Sequence, residues 1–252
     1  MARRLLILLI NLIFVIDLFS LEIKLPDGSI YSGDLVDGLF EGNGKQYWLN
    51  GNYYEGEFKK GVYNGFGKLA TQEFTYEGFF SDGLMNGEGI LIFSTGDTMY
   101  GLFKNGYMNG MGKIEYQNGD IYEGYIADNI RDGAGNYMKN NGDIYVGNFE
   151  RDMFNGWGTY YELNGNYYIG EFLDNQFHGN GKYVSKESLF RDIIYEGVFV
   201  NGKLPEIYII QEKILRTIKN IFLYALIIFN IILLIHFLKQ RRSVKQGRSV
   251  RK

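Results

Sequence analysis

The sequence contains no cysteine, which excludes a disulfide framework, a thiol nucleophile and a cysteine-ligated zinc site. Only two prolines occur, so the 34 glycines do not belong to the proline-rich composition of disordered chains. Serine and threonine are scarce, at nine and six, and no Asn-x-Ser/Thr sequon occurs. With so few hydroxyl residues, that absence decides little about exposure to a glycosylating compartment. Acidic residues are missing from the last fourteen positions, where Lys239, Arg241, Arg242, Lys245, Arg248, Arg251 and Lys252 stand. Residues 21–204 are the reverse, with 26 Asp and Glu against 14 Lys and Arg, a local balance of −12. What abounds is glycine together with 21 tyrosines and 19 phenylalanines, the composition of many short strands and turns.

The two ends differ from the middle. Arg3 and Arg4 precede an apolar run from Leu5 to Ile16, interrupted only by Asn11, and Asp17 to Ser20 follow. This is the layout of a secretory signal over residues 1–20, either cleaved after Ser20 or kept as a signal anchor. Residues 205–220 read as a linker. Ile221 to Leu238 then gives eighteen residues without Asp, Glu, Lys or Arg, a candidate transmembrane helix at the short end of the spanning range. Asn230 and His236 are its polar members, and the bland reading of each, a tolerated amide and an interfacial imidazole, outweighs a functional one. Residues 239–252 form the basic tail, which the excess of Lys and Arg places on the cytoplasmic side. Together the ends predict a single-pass protein of the secretory pathway, in the endoplasmic reticulum or at the cell surface, with residues 21–204 lumenal or extracellular. If the N-terminal segment is not a signal, the chain is tail-anchored and the same residues face the cytosol.

The middle repeats itself. It restarts at Tyr31, Tyr54, Tyr76, Met99, Tyr122, Tyr145, Tyr168 and Tyr195, at intervals of 23, 22, 23, 23, 23, 23 and 27 residues, giving seven units and a half. In Tyr54-Glu55-Gly56-Glu57-Phe58, alternation puts Tyr54, Gly56 and Phe58 on one face of a strand and the carboxylates on the other. The glycine leaves space above the backbone for an aromatic ring from a neighbour. A second strand follows through Gly65 and Gly67, and Asn50-Gly51, Asn118-Gly119, Asn141-Gly142 and Asn164-Gly165 supply turns of the type I′ kind between units. Asn129, Asp152 and Asn175 stand where other units have glycine after the first strand, and these residues tolerate left-handed backbone. Successive hairpins predict a meander of roughly fifteen strands and about 70 Å.

These units resemble the MORN repeat, whose hallmark is Tyr-x-Gly-x-aromatic followed by Gly and then Gly-x-Gly. The residues that carry the resemblance are Tyr54, Gly56, Phe58, Gly65, Gly67, Tyr76, Gly78, Phe80, Tyr122, Gly124, Tyr145, Gly147, Tyr168 and Gly170. The resemblance implies a mainly β fold: an extended antiparallel β-hairpin array forming a single-sheet twisted rod, here with hydrophobic helices at both termini. It also implies scaffolding. In junctophilins such an array precedes a C-terminal membrane helix, and in other relatives it accompanies catalytic domains for which this chain leaves no residues.

Catalytic signals are weak. Gly42-Asn43-Gly44-Lys45 has the look of a phosphate loop, but such a loop occurs once between a strand and a helix, whereas Gly-x-Gly recurs here in every unit. His178 fills a slot held elsewhere by Asn64, Asn86, Asn109, Asp132 and Asn155, with no nucleophile beside it by motif. Glu55 and Glu57 read as a solvated strand face. The sequence therefore predicts a non-enzymatic, membrane-anchored scaffold that binds a protein partner, without cofactor, metal or nucleic acid. The alternative is a junctophilin-like membrane tether or lipid-binding protein with the array in the cytosol. The acidic array repels anionic headgroups, which attract basic segments by about 1 kcal/mol per Lys or Arg, so the tail is the expected contact for anionic lipid.

Overall fold

The computed structural model describes residues 22–188, 191–204 and 215–231. Among these, sixteen strands, from Glu22–Lys24 to Arg191–Phe199, form one antiparallel sheet whose spatial order is the chain order. Each predicted unit is one hairpin. The second, for example, pairs Tyr53–Lys59 with Val62–Ala70, and the fifth pairs Ile121–Ala127 with Ile130–Met138. The expected alternation holds: Tyr54 and Phe58 are buried while Glu55 and Glu57 face away from them on the other side of the strand.

The turns carry a correction. The type I′ geometry lies inside each unit rather than between units. Lys60 and Gly61 have φ of 50° and 84°, and Asp128 and Asn129 have 49° and 69°. The link Thr71-Gln72-Glu73 has no left-handed residue, and at the links that carry a glycine only the glycine turns left-handed, as in Gly51 with φ 87°. There the Gly51 N–H donates to the Trp48 carbonyl and the Trp48 N–H to the Asn52 carbonyl. This is the three-residue hairpin loop with its single left-handed residue. The asparagine before that glycine acts through its side chain instead, since Asn50, Asn118, Asn141 and Asn164 each accept the N–H two residues on, at 2.8–3.1 Å. The expectation for Asn129, Asp152 and Asn175 holds, with φ of 66–69°. These residues also tie hairpins together. The Asn129 N–H donates to the Met108 carbonyl, and its Oδ1 accepts the Met108 N–H at 2.7 Å.

A ladder of glycines crosses the sheet. From Gly33 and Gly44 to Gly181 and Gly197, glycine faces glycine at every strand pair after the first. The ring above each pair comes from the same strand, not from a neighbouring hairpin as the sequence suggested. Tyr54 lies along its own strand over Gly56 and Gly67, where a Cβ on Gly56 would come within 2.7 Å of its hydroxyl. That hydroxyl donates to the Glu57 carbonyl at 2.9 Å. Glu57 stands at a β-bulge, out of register with the following strand, so the tyrosine satisfies a carbonyl that the bulge sets aside. The hydroxyls of Tyr31, Tyr76, Tyr122, Tyr145 and Tyr168 repeat the contact at 2.6–3.0 Å. Rings do run on from hairpin to hairpin, since Tyr54 meets Phe80 edge-on at 5.3 Å and Tyr145 meets Phe172 at 4.9 Å. In the fourth hairpin Met99 has no ring to offer, and the methyl end of Met108, from the next strand, fills the space over Gly101 and Gly112.

The N-terminal signal-like segment lies outside the described residues, as do residues 232–252. The apolar run 221–238 is described as far as residue 231, inside a helix of residues 215–231 whose large apolar side chains are exposed. Among the described residues, no helix is long and apolar enough to cross a membrane.

Filling the space over the ladder should destabilise the array. A Cβ on Gly78 would stand 2.6 Å from both the Glu88 carbonyl and the Gly89 Cα, backbone atoms that cannot swing aside. Gly78→Val is expected to cost about 1–3 kcal/mol, typical of overpacking. An unchanged denaturation midpoint would refute the packing described.

Candidate functional site

The face that carries the glycine ladder also carries a groove, and its chemistry changes halfway along the rod. Beside each repeat tyrosine stands a cross-strand partner. In hairpins two to four the pairs are Tyr54 with Leu69, Tyr76 with Leu91, and Met99 with Ile114. In hairpins five to seven they are Tyr122 with Tyr137, Tyr145 with Tyr160, and Tyr168 with Tyr183. Leu91 and Ile114 are buried, whereas Tyr137, Tyr160 and Tyr183 are half-buried at the groove surface.

Each of these three tyrosines donates to a carboxylate at the inter-unit turn: Tyr137 to Asp120, Tyr160 to Asp143 at 2.7 Å and Tyr183 to Glu162 at 2.8 Å. The Tyr160 hydroxyl, and then the Leu163 N–H, hold the Asp143 carboxyl below the ordinary carboxylate range. Burial works to raise Asp120, but donation from Tyr137, the Asn140 N–H and Asn118 outweighs it and leaves that carboxyl lowered too. Burial, and then the bond to Asp120, push the Tyr137 phenol up to about 12. Protons therefore stay on Tyr137 and Tyr160 and charge on Asp120 and Asp143.

Two cations interrupt the pattern. Arg131 occupies the slot that Phe40, Tyr63, Met85, Met108, Phe154 and Phe177 fill in the other hairpins. Four of those residues stack flat on the repeat tyrosine, as Tyr63 does on Tyr54 at 3.8 Å. Arg131 instead lies 4.8 Å from the Tyr137 ring and 5.3 Å from the Phe149 ring, and its Nε donates to Asp152 at 2.9 Å. Lys139 donates to the Tyr160 hydroxyl at 2.9 Å. Arg131, Tyr137, Lys139, Phe154, Tyr160 and Phe177 line a recess of about 380 Å³. Such a lining offers rings, hydroxyls and fixed charge for recognition.

The residues marked in the sequence form the spine beneath this groove. Tyr54, Tyr76, Tyr122, Tyr145 and Tyr168 are fully buried, Phe58 and Phe80 nearly so. Gly56, Gly67, Gly78, Gly124, Gly147 and Gly170 belong to the ladder, and Gly65 turns left-handed with φ 71° against the Glu57 carboxylate. Glu57 accepts the Phe66 N–H at 3.0 Å, Glu55 pairs with Lys45 at 2.6 Å, and the His178 carbonyl accepts from Tyr168. Sequence reasoning missed Arg131, Lys139 and the second tyrosines. The 23-residue recurrence of Tyr137, Tyr160 and Tyr183 was the signal that could have found the latter.

The family model of the MORN repeat matches seven segments: residues 31–53, 54–70, 76–98, 100–121, 122–144, 145–166 and 168–187. A comparison with curated protein sequences finds no match. Among solved structures the chain is similar to the SAS-4 (dCPAP) TCP domain of Drosophila melanogaster in complex with a proline-rich motif of Ana2 (dSTIL). The identity is 18% and the TM-score 0.38, over 61% of this chain and 91% of that one. It is also similar to the TCP10 domain of Danio rerio CPAP in complex with a peptide of Danio rerio STIL. There the identity is 15% and the TM-score 0.37, over 66% and 78% of the two chains. The same Danio rerio domain alone gives 14% and 0.39, over 73% and 100%. These likenesses concern the fold alone.

Replacing Tyr160 by Phe removes the main cause of the lowered Asp143 carboxyl and should raise its pKa toward the unfolded value. A depressed carboxyl contributes stability above its unfolded pKa and loses it as pH falls through the folded one. The variant should therefore lose stability near neutral pH and converge with the wild type in strong acid. Carbon-detected NMR titration of Asp143 checks the shift, and an unmoved carboxyl would refute the pairing.

Proposed function

The chain belongs to the MORN-repeat family, and on that premise we propose that it is a non-enzymatic, membrane-anchored scaffold whose repeat rod holds a protein partner. The observation that carries the proposal is the change in the groove at the fifth hairpin. The spine needs only its buried tyrosines, phenylalanines and glycines, yet three successive hairpins add a half-buried tyrosine bonded to a carboxylate beside Arg131 and Lys139. Rings with polar tips and fixed charges suit a protein segment, which offers both side chains to bury and backbone groups to bond. An acidic rod is a poor surface for anionic headgroups. Membrane anchoring rests on the apolar run Ile221 to Leu238 and the seven cations after it, and the lumenal or extracellular placement of the array rests on Arg3, Arg4 and the apolar residues that follow.

A photo-crosslinking amino acid placed at Tyr160 or Tyr183 in living cells should capture a protein, and the same group at Glu150, outside the groove, should not. Capture of lipid alone from the groove positions would overturn the reading in favour of a lipid-binding tether.

Sidedness has its own test. A tag inserted between Gly165 and Asn166, in a turn between units, should resist protease added to sealed microsomes and be digested once detergent is present. Digestion in intact microsomes would place the array in the cytosol and make the chain tail-anchored.

A further inference from the structure

The opposite face of the sheet carries a second surface that the fold does not need. Along one cross-strand row of that face the first members are Asn43 and Glu57, and the later ones are Ala134, Asn148, Trp157, Glu171, Asn180 and Val198, so exposed apolar residues there stand singly among polar ones. Polar residues thus fold well at this place in the repeat. In the centre of the rod the row reads Phe66, Phe79, Glu88, Leu102, Met111 and Tyr125. The five apolar members are 46–56% exposed, so they contribute little to the spine. They also cost the array hydrogen bonds. At the place of Phe79, Leu102 and Tyr125, Glu57 accepts the Phe66 N–H at 3.0 Å and Glu171 accepts the Asn180 N–H at 3.0 Å. An aromatic or aliphatic side chain cannot take that role.

Four of the apolar members, Phe66, Phe79, Leu102 and Met111, line a recess of about 470 Å³ together with Ile90 and the carboxylates of Glu77 and Glu88. Phe66 and Phe79 meet edge-to-face at 5.6 Å and wall one end. In the adjacent row Glu77 has a cation of its own, Lys68 at 3.4 Å, while Lys113 pairs with Glu115 at 2.7 Å and reaches Glu123 at 4.0 Å. Glu88 forms no ion pair among the described residues. Glu88 is thus the carboxylate of the recess without a cation, set in an exposed apolar patch on an array with a balance of −12, which complements one kind of ligand. We propose that this central back face is a docking site for a cationic amphipathic segment of a partner protein, with a Lys or Arg on Glu88 and flanking apolar side chains over Phe79, Leu102 and Met111. A second copy of this chain would bring a second unpaired Glu88 and further acid to the same place, which electrostatics disfavours. The site is distinct from the tyrosine groove, and the array can hold one partner on each face.

The probe is a short synthetic peptide with Lys between Leu and Phe residues, compared with its Glu-for-Lys counterpart by fluorescence anisotropy on the full-length chain. The variants Glu88→Asn, Phe79→Asn and Met111→Ala use residue types already found in this row of other hairpins, so the fold should tolerate them. Each should weaken binding of the cationic peptide about tenfold or more. Glu150→Gln, with the same change of charge away from the patch, and Lys139→Ala in the tyrosine groove should leave it unchanged. The idea is overturned by equal binding of the acidic peptide, by equal loss in Glu150→Gln, or by unchanged binding in all three patch variants. A dimer in sedimentation that Phe79→Asn dissolves would likewise overturn it, assigning the face to a second copy. None of these results bears on the groove, whose test is the cross-link from Tyr160.

Discussion

The array depends on one contact: a tyrosine ring lying flat along its own strand, over two glycines, with its hydroxyl on a carbonyl at the next bulge. A single sheet has no second layer to cover its apolar face, and an isolated hairpin is marginal in water. Here the ring itself is the second layer. Because neither glycine has a side chain, the ring can come down onto the backbone and become fully buried within a one-sheet protein. Its partner from the next strand then stacks above it, and the phenylalanine of the following hairpin closes the side.

The bulge and the tyrosine explain each other. A bulge takes one residue out of the ladder and sharpens the local twist, at the cost of a carbonyl without its strand partner. The phenol returns a partner to that carbonyl, and in six hairpins the donor is the tyrosine three residues earlier. The fourth hairpin keeps the packing without the phenol, through Met108. Filling the volume over the glycines is thus the stricter requirement of the two, as expected where an empty space forfeits contacts on every side.

A spine that is complete within each hairpin leaves the remaining positions free to vary. On one face the variation produces an aliphatic half and a tyrosine–carboxylate half, meeting near Arg131. On the other it produces a run of adjacent apolar residues at the centre, where the ends are polar or carry single apolar residues such as Trp157 and Val198. Both surfaces lie on strands rather than loops, so their spacing follows from the strand register.

The seven-unit register, the half-buried strands with Tyr54 inside and Glu55 outside, and the survival of the turns at Asn129, Asp152 and Asn175 were all legible in the chain, because each follows from local alternation or from one residue's backbone preference. The location of the type I′ turns was not. Asn-Gly satisfies a three-residue loop as well as a two-residue one, and only the register of the flanking strands decides between them. The ring over Gly56 was read as a neighbour's because alternation tells which face a side chain takes, not the direction in which it lies along that face. Arg131 and the tyrosines at 137, 160 and 183 passed unnoticed for the same reason: their meaning comes from Asp152, Asp120, Asp143 and Glu162, which stand 17 to 21 residues away and meet them only when successive hairpins pair. Sequence alone determined the repeating unit, since its contacts are short in range. Tertiary structure decided which faces of the rod carry chemistry, since those contacts run between units.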